Sequence, residues 1–228
     1  MKIDIEMAVR FFDDTPDHGN ATSIVGLIGE DLNAQAFKYF LENERHVEAN
    51  ILDIPITTGQ QKGKRLDRWI HVKESGKEIL YQCEIKNWSS TAIHGRKLKL
   101  DADTEETKTV ADYYWNLQRR LEFADSKFPN GVTKVFVPMK KPDEYNNISV
   151  RPLLIYWMPI SKNKGTEPFF SALVSELSNE KIPPTFAEFD IFSVSLYFRK
   201  LLKKGIKSID LNMPNVEKRM DVLKRIII

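Results

Sequence analysis

The residues with the clearest chemical potential lie in the run LYQCEIKNW, residues 80–88. It reads as a strand. Side chains alternate across a strand, so Gln82, Glu84 and Lys86 share one face while Tyr81, Cys83 and Ile85 share the other. A glutamate and a lysine thus stand side by side on a half-buried surface. The preceding strand, RLDRWIHVK at 65–73, puts Asp67, Trp69 and His71 on one face, and a short turn at Ser75 and Gly76 makes the two strands antiparallel neighbours. With Asp67 opposite or diagonal to Glu84, two carboxylates come within reach of one cation. Such hard oxygen ligands suit Mg²⁺ or Mn²⁺, which keep several waters and take one or two carboxylates plus phosphate oxygens of a substrate. A lysine beside the ion can orient or help deprotonate an attacking water and stabilise charge building on the phosphate. The chemistry this set suits is phosphodiester hydrolysis.

The elements that must position these residues follow from hydrophobic patterning. Residues 1–20 begin with apolar and polar alternation and end in the turn-rich DDTPDHGN, which predicts an edge strand or arm. A helix is expected over 21–44, with Thr22 or Ser23 as its cap and Ile24, Leu27, Ile28, Leu32, Phe37, Phe40 and Leu41 at helical spacing. Gly26 and Gly29 on that helix would let it approach a sheet closely, next to Glu30. Three strands follow, at 47–58, 65–73 and 78–88. A second helix, 103–125, has the acidic start and basic end that suit a helix dipole. VTKVFVPM at 132–139 and VRPLLIYWMPI at 150–160 read as two further strands, apolar enough to lie inside a sheet. The last third, in 167–180, 186–205 and 215–228, reads as mainly helical, with a short strand at SIDL, 208–211. The expected fold is therefore α/β: one domain over 1–228, with a mixed central sheet of about five strands flanked by helices in a core at 22–160, and a helical elaboration at 165–228.

On Asp67 in RLDRWI, Glu84, Ile85 and Lys86 in YQCEIKNW, and Glu30 in GLIGEDLN, the sequence resembles the PD-(D/E)XK superfamily of restriction-endonuclease-like nucleases. Members share a core of helix, three-stranded meander, helix and strand, which matches the order read over 22–140. The resemblance implies a restriction-endonuclease-like core and a Mg²⁺- or Mn²⁺-dependent nuclease, with DNA as the expected substrate. It implies Asp67 and Glu84 as metal ligands joined by the backbone carbonyl of Ile85, Lys86 as the catalytic lysine and Glu30 as an accessory acid. Leu66 stands where the motif's proline would be, a departure widely tolerated. In the second helix, Tyr114, Gln118 and Arg119 could add a polar residue behind the metal, as in some nucleases of this type. One such site cuts one strand, so double-strand cleavage would require a homodimer or two successive nicks.

The triplet alone discriminates little. Glu106-Thr107-Lys108 also fits it, and Asp125-Ser126-Lys127 fits its aspartate form, but both lie in helical or loop sequence without a carboxylate strand upstream. The competing reading of the charged set is a cross-strand ion pair on a solvated sheet face. The corresponding alternative for the whole protein is a nuclease-fold module that binds nucleic acid or assembles without cutting. For substrate contacts, Trp88, Arg96, Lys97 and Lys99 in NWSSTAIHGRKLKL could follow a phosphate backbone. An ordinary solvated loop is the equal alternative.

Several other chemistries are disfavoured. GQQKGKR at 59–65 mimics a phosphate loop, yet its glycines are too close, Arg65 stands where Ser or Thr belongs, and a strand follows instead of a helix. His18, His46, His71 and His94 lack paired metal-ligand spacing. Cys83, the single cysteine, faces the core side, has no visible base beside it, and excludes a disulfide framework. Trp115 is expected in the core, and the basic FRKLLKKGIK reads as a helix end. At 228 residues, 42% hydrophobic and 29% charged with a net charge of +2, the chain suits a folded domain and no polycation. The first residues lack an apolar leader and no apolar run is long enough to span a bilayer, so the expected location is cytoplasmic, away from membrane.

Overall fold

A computed structural model describes residues 1–14, 18–52, 66–74, 76–87, 93–120, 133–177, 182 and 185–226. In chain order they form β1 (Lys2–Asp4), α1 (Ile5–Val9), a π-helical turn (Arg10–Asp14), α2 (His18–Glu44), β2 (Glu48–Leu52), β3 (Arg68–Glu74), β4 (Lys77–Lys86) and α3 (Thr104–Arg120). There follow a 3₁₀ turn (Thr133–Phe136), β5 (Ser149–Tyr156), β6 (Phe169–Leu173), β7 (Glu188–Ser193), α4 (Val194–Lys203), β8 (Ser208–Asp210) and α5 (Pro214–Ile226). The fold is α/β, with a mixed six-stranded sheet in the order β2-β3-β4-β5-β7-β6. A two-stranded sheet pairs β1 with β8. Among the described residues, no helix is long and apolar enough to cross a membrane.

The meander β2-β3-β4 is antiparallel, closed by Gly76 at φ +80°, a left-handed conformation that a residue without Cβ adopts at no steric cost. From β4 the chain crosses through α3 and returns parallel as β5, and β7 lies parallel to β5. Helix-spaced Leu32, Phe37, Phe40 and Leu41 of α2 pack on one face of the sheet, with Tyr81, Cys83 and Ile85 of β4 and Tyr197, Phe198 and Leu201 of α4. The opposite face buries Leu154 and Tyr156 of β5 against Val110, Tyr114 and Trp115 of α3 and Val135 and Phe136. Each fully buried aliphatic or phenylalanine side chain in these layers contributes about 1.5–3 kcal/mol over exposure.

The strands expected at 65–73, 78–88 and 150–160 are β3, β4 and β5, and the first part of 47–58 is β2. Three expectations are corrected. The segment 132–139 is no strand: it makes a 3₁₀ turn at Thr133–Phe136, and its backbone groups are taken up by the Gln82 side chain instead of a neighbouring strand. The last third is helical in α4 and α5 as expected, but Phe169–Leu173 and Glu188–Ser193 are strands that complete the central sheet, which has six strands among the described residues rather than about five. Both segments are short and mix apolar with polar residues, so periodicity does not tell strand from helix there. Helix α2 also begins at His18, upstream of the expected cap at Thr22 or Ser23.

Candidate active site

The register Arg68↔Cys83 and Trp69↔Gln82 puts Asp67 one step beyond the last ladder pair, next to Glu84. Its backbone N–H still donates to the Cys83 carbonyl at 3.3 Å, while Asp67 Oδ2 accepts from the Ile85 N–H at 2.7 Å. The Asp67 side chain thus takes the place of the missing next strand residue. Because both backbone groups of a strand residue point to the same neighbour, the Ile85 carbonyl lies on the Asp67 side as well. Alternation holds in β4: Tyr81, Cys83 and Ile85 are in the α2-side core, and Gln82, Glu84 and Lys86 face the α3 side.

Glu84 is fully buried. Its Oε1 accepts from Lys86 Nζ in a short ion pair, and its Oε2 lies 2.7 Å from Lys134 Nζ. Lys134 Nζ is also 3.6 Å from Asp67 Oδ1, so one ammonium is shared by both carboxylates. Burial and the neighbouring Asp67 carboxylate push the Glu84 carboxyl up to about 7, against the opposing pull of Lys86 and Lys134. Burial acts to lower the Lys134 pKa, yet Asp67 and Glu84 outweigh it and hold the ammonium above its ordinary value.

Lys134 is the residue that the sequence reading missed, and Gln82 is the reason it arrives here. The Gln82 amide, fully buried, donates to the carbonyls of Val135 and Val137, both at 2.7 Å, and accepts from the Met139 N–H at 3.1 Å. This fastens the chain after Lys134 across β4, two residues before Glu84 on the same face. The one local signal was a lysine inside the apolar run VTKVFV. Further along this face, Tyr156, paired in register with Lys86, donates a short hydrogen bond to Gln118 Oε1 on α3. Burial and the Glu84 charge raise the Tyr156 phenol well above its usual range. Gln118 is therefore held by Tyr156, and its Nε2 is buried without a hydrogen-bond partner among the described residues.

No family model, curated protein or solved structure matches the chain.

The other predicted residues are placed less centrally. Glu30 Oε2 lies 3.6 Å from Arg68 Nη1, and Arg68 in turn bonds Asp31 at 2.6 Å and the Asp67 carbonyl at 2.6 Å. Glu30 is thus held behind Asp67, through Arg68. A close approach of α2 does exist at Gly29, where an added Cβ would come 2.6 Å from the Asn87 amide nitrogen; Asn33 of the same helix holds Asn87 in a short hydrogen bond. Arg96, Lys97 and Lys99 are exposed, with the Arg96 guanidinium 4.9 Å above the Tyr113 ring and its carbonyl accepting from Tyr114 at 2.8 Å. Arg119 donates to the Glu176 carbonyl at 3.3 Å, away from Glu84. Trp88, the loop at 59–65 and the Asp125-Ser126-Lys127 triplet lie outside the described residues. Cys83 and Trp115 are buried, and burial pushes the Cys83 thiol up, unfavourable to a thiolate nucleophile. His71 pairs with Glu78 at 2.7 Å. Among the described residues, no group of three or more His, Cys, Asp or Glu side chains gathers; a site of two carboxylates and a carbonyl forms no such group.

Proposed function

We propose that the chain is a Mg²⁺- or Mn²⁺-dependent nuclease of PD-(D/E)XK type that hydrolyses phosphodiester bonds, with DNA the expected substrate. The observation that carries this reading is the convergence of Asp67 Oδ1 and Glu84 Oε2 on one point cation, with Lys86 on the other oxygen of Glu84. The cluster sits at the carboxyl end of β4, parallel to β5 and β7, the edge of an α/β sheet where ligands characteristically bind.

The residues fit a divalent ion by the same observation, since their hard oxygens already share a cation. Asp67, Glu84 and the Ile85 carbonyl would hold it, and it would supply Lewis-acid polarisation of a phosphoryl oxygen and a lowered pKa for water. Lys86, anchored on Glu84 Oε1, keeps its ammonium beside the reacting phosphate, where it orients the nucleophile and offsets developing negative charge. The Ile85 N–H fixes the Asp67 carboxylate, and the Glu30–Arg68–Asp67 chain steadies its backbone. Exposed Arg96, Lys97 and Lys99, with Trp88, are the proposed backbone contacts on nucleic acid.

The test is incubation with supercoiled, linear and single-stranded DNA and with RNA, in Mg²⁺, Mn²⁺ or EDTA. Metal-dependent cutting should fall by about 10³-fold or more, roughly 4 kcal/mol, in both Glu84→Gln and Lys86→Ala. Equal cutting by the variants would defeat the assignment. A second reading, a non-cutting nucleic-acid-binding or assembly module, draws on one observation: Lys86 and Lys134 already pair with the Asp67 and Glu84 carboxylates. Binding to DNA without cleavage in any metal would favour it.

A further inference from the structure

We infer that Lys134 is a resident occupant of the cation position, so that its ammonium and a divalent ion exclude one another at Asp67 and Glu84. The inference rests on the reading that these two carboxylates hold such an ion. Lys134 Nζ lies 2.7 Å from Glu84 Oε2 and 3.6 Å from Asp67 Oδ1, between the two oxygens a metal would need. A 2+ ion and the Lys134 ammonium cannot both sit there, because they would fill the same space between the same two oxygens, where like charges in contact repel strongly. What moves is the side chain alone. The chain beyond Lys134 is fixed by the three Gln82 hydrogen bonds, while the lysine stem is long, unbranched and partly exposed.

The charge count gives the exchange a direction. With Glu84 ionised and Lys134 in place, the two carboxylates and two ammonium groups described here cancel in charge. With a divalent ion in its place and Lys86 unmoved, the cluster carries one positive charge, and the displaced Lys134 stands at the rim. The metal-free protein is then a closed state that discourages anions, and the metal-loaded one attracts a phosphate. Competition of this kind lowers apparent metal affinity by the fraction of molecules in the open state.

Two measurements test this. EDTA-stripped wild type, Lys134→Met, Lys134→Gln and Glu84→Gln are titrated with Mn²⁺ by electron paramagnetic resonance of the free ion. Both Lys134 variants should bind about tenfold more tightly than wild type, as expected if Lys134 fills the position in roughly nine of ten free molecules. In parallel, wild type is acetylated with a limiting amine reagent and the rate at Lys134, relative to exposed Lys203, is followed by mass spectrometry. It should rise several-fold with saturating Mn²⁺ and stay flat in Glu84→Gln. Wild type that binds Mn²⁺ with unaltered Lys134 labelling, or Lys134 variants with unaltered affinity, would overturn the exclusion while leaving the metal site standing. No Mn²⁺ binding by wild type or either Lys134 variant would overturn both. The labelling comparison of wild type with and without Mn²⁺ needs no variant, so a variant that fails to fold does not shield the inference.

Discussion

Two fully buried carboxylates, Asp13 and Glu84, sit on opposite faces of the same sheet and are built differently. Asp13, on the π-helical turn, has both oxygens occupied: Oδ1 accepts from Trp157 Nε1 at 2.9 Å, and Oδ2 accepts from Ser195 Oγ at 2.9 Å and Arg199 Nη2 at 3.0 Å. Arg199 also donates from Nη2 to the Leu98 carbonyl at 2.6 Å, from Nη1 to the Lys99 carbonyl at 2.5 Å and from Nε to Ser195 Oγ at 3.4 Å. Glu84 instead faces a second carboxylate and two lysines, with Asp67 adding to the burial that raises its pKa. A planar guanidinium locks several groups at fixed geometry, whereas ammonium groups on flexible stems are exchangeable. The Asp13 cluster therefore reads as a clasp joining four chain segments, and the Glu84 cluster as a place where a cation can be swapped.

The sharpest way to break this contrast is to exchange the readouts. Glu84→Gln, which removes charge and keeps shape, should abolish metal-dependent cleavage, by about 10³-fold or more, with far-UV circular dichroism unchanged. Asp13→Ala should do the reverse. Removing one partner of a buried ion pair costs about 3–5 kcal/mol, because Arg199 is left uncompensated among apolar groups. Urea denaturation should show that loss directly, and whatever molecules remain folded should cut at the wild-type rate. Cleavage lost in Asp13→Ala at full stability would mean that the two clusters do not divide structure from chemistry.

Burial raises both carboxyls, and a weaker effect, specific to Glu84, is read by pH. Glu84 titrates near 7 in the folded protein, above the ordinary carboxylate value of 4.5. A raised pKa means that folding favours the protonated form, so this contribution is fully present below about pH 4.5 and is lost as pH rises through 7. The span corresponds to roughly 3 kcal/mol at most. In EDTA, wild type should lose stability relative to Glu84→Gln across that window, measured by denaturation midpoints at pH 5, 6, 7 and 8. Parallel curves for the two proteins would mean that Lys86 and Lys134 fully compensate the buried charge.

Much of the site was legible because it is local. Strand alternation alone puts Glu84 and Lys86 on one face, and a tight turn at Gly76 suffices to bring Asp67 alongside, since a short hairpin leaves little choice of register. The same rule explains Cys83 and Ile85 in the core. What stayed hidden depends on contacts distant in sequence. Lys134 reaches Glu84 only because Gln82 satisfies the backbone of a segment whose own pattern, VTKVFVPM, argues for a strand. Asp13 and Arg199 meet across nearly the whole chain, and neither residue carries a local mark of its partner. The missed strands β6 and β7 fail for another reason: Phe169–Leu173 and Glu188–Ser193 are short segments of mixed apolar and polar residues that run directly into helical turns, so period and length gave conflicting cues.

The smallest expected effect concerns Glu30, which tests how far the functional cluster extends. The resemblance makes it an accessory acid, but its carboxylate is 3.6 Å from Arg68 and acts on Asp67 only through that residue's grip on the Asp67 carbonyl. Asp31, nearly buried and 2.6 Å from the same guanidinium, is the stronger anchor and would hold Arg68 without Glu30. Glu30→Gln should therefore lower kcat/KM by less than about tenfold, under roughly 1.4 kcal/mol, with Mn²⁺ affinity unchanged. Asp31→Asn, which weakens the closer contact, should cost more of the two. A loss beyond about 100-fold in Glu30→Gln with weakened metal binding would bring Glu30 to the reacting atoms and join α2 to the exchangeable side of the contrast. A loss confined to stability would put it with Asp13.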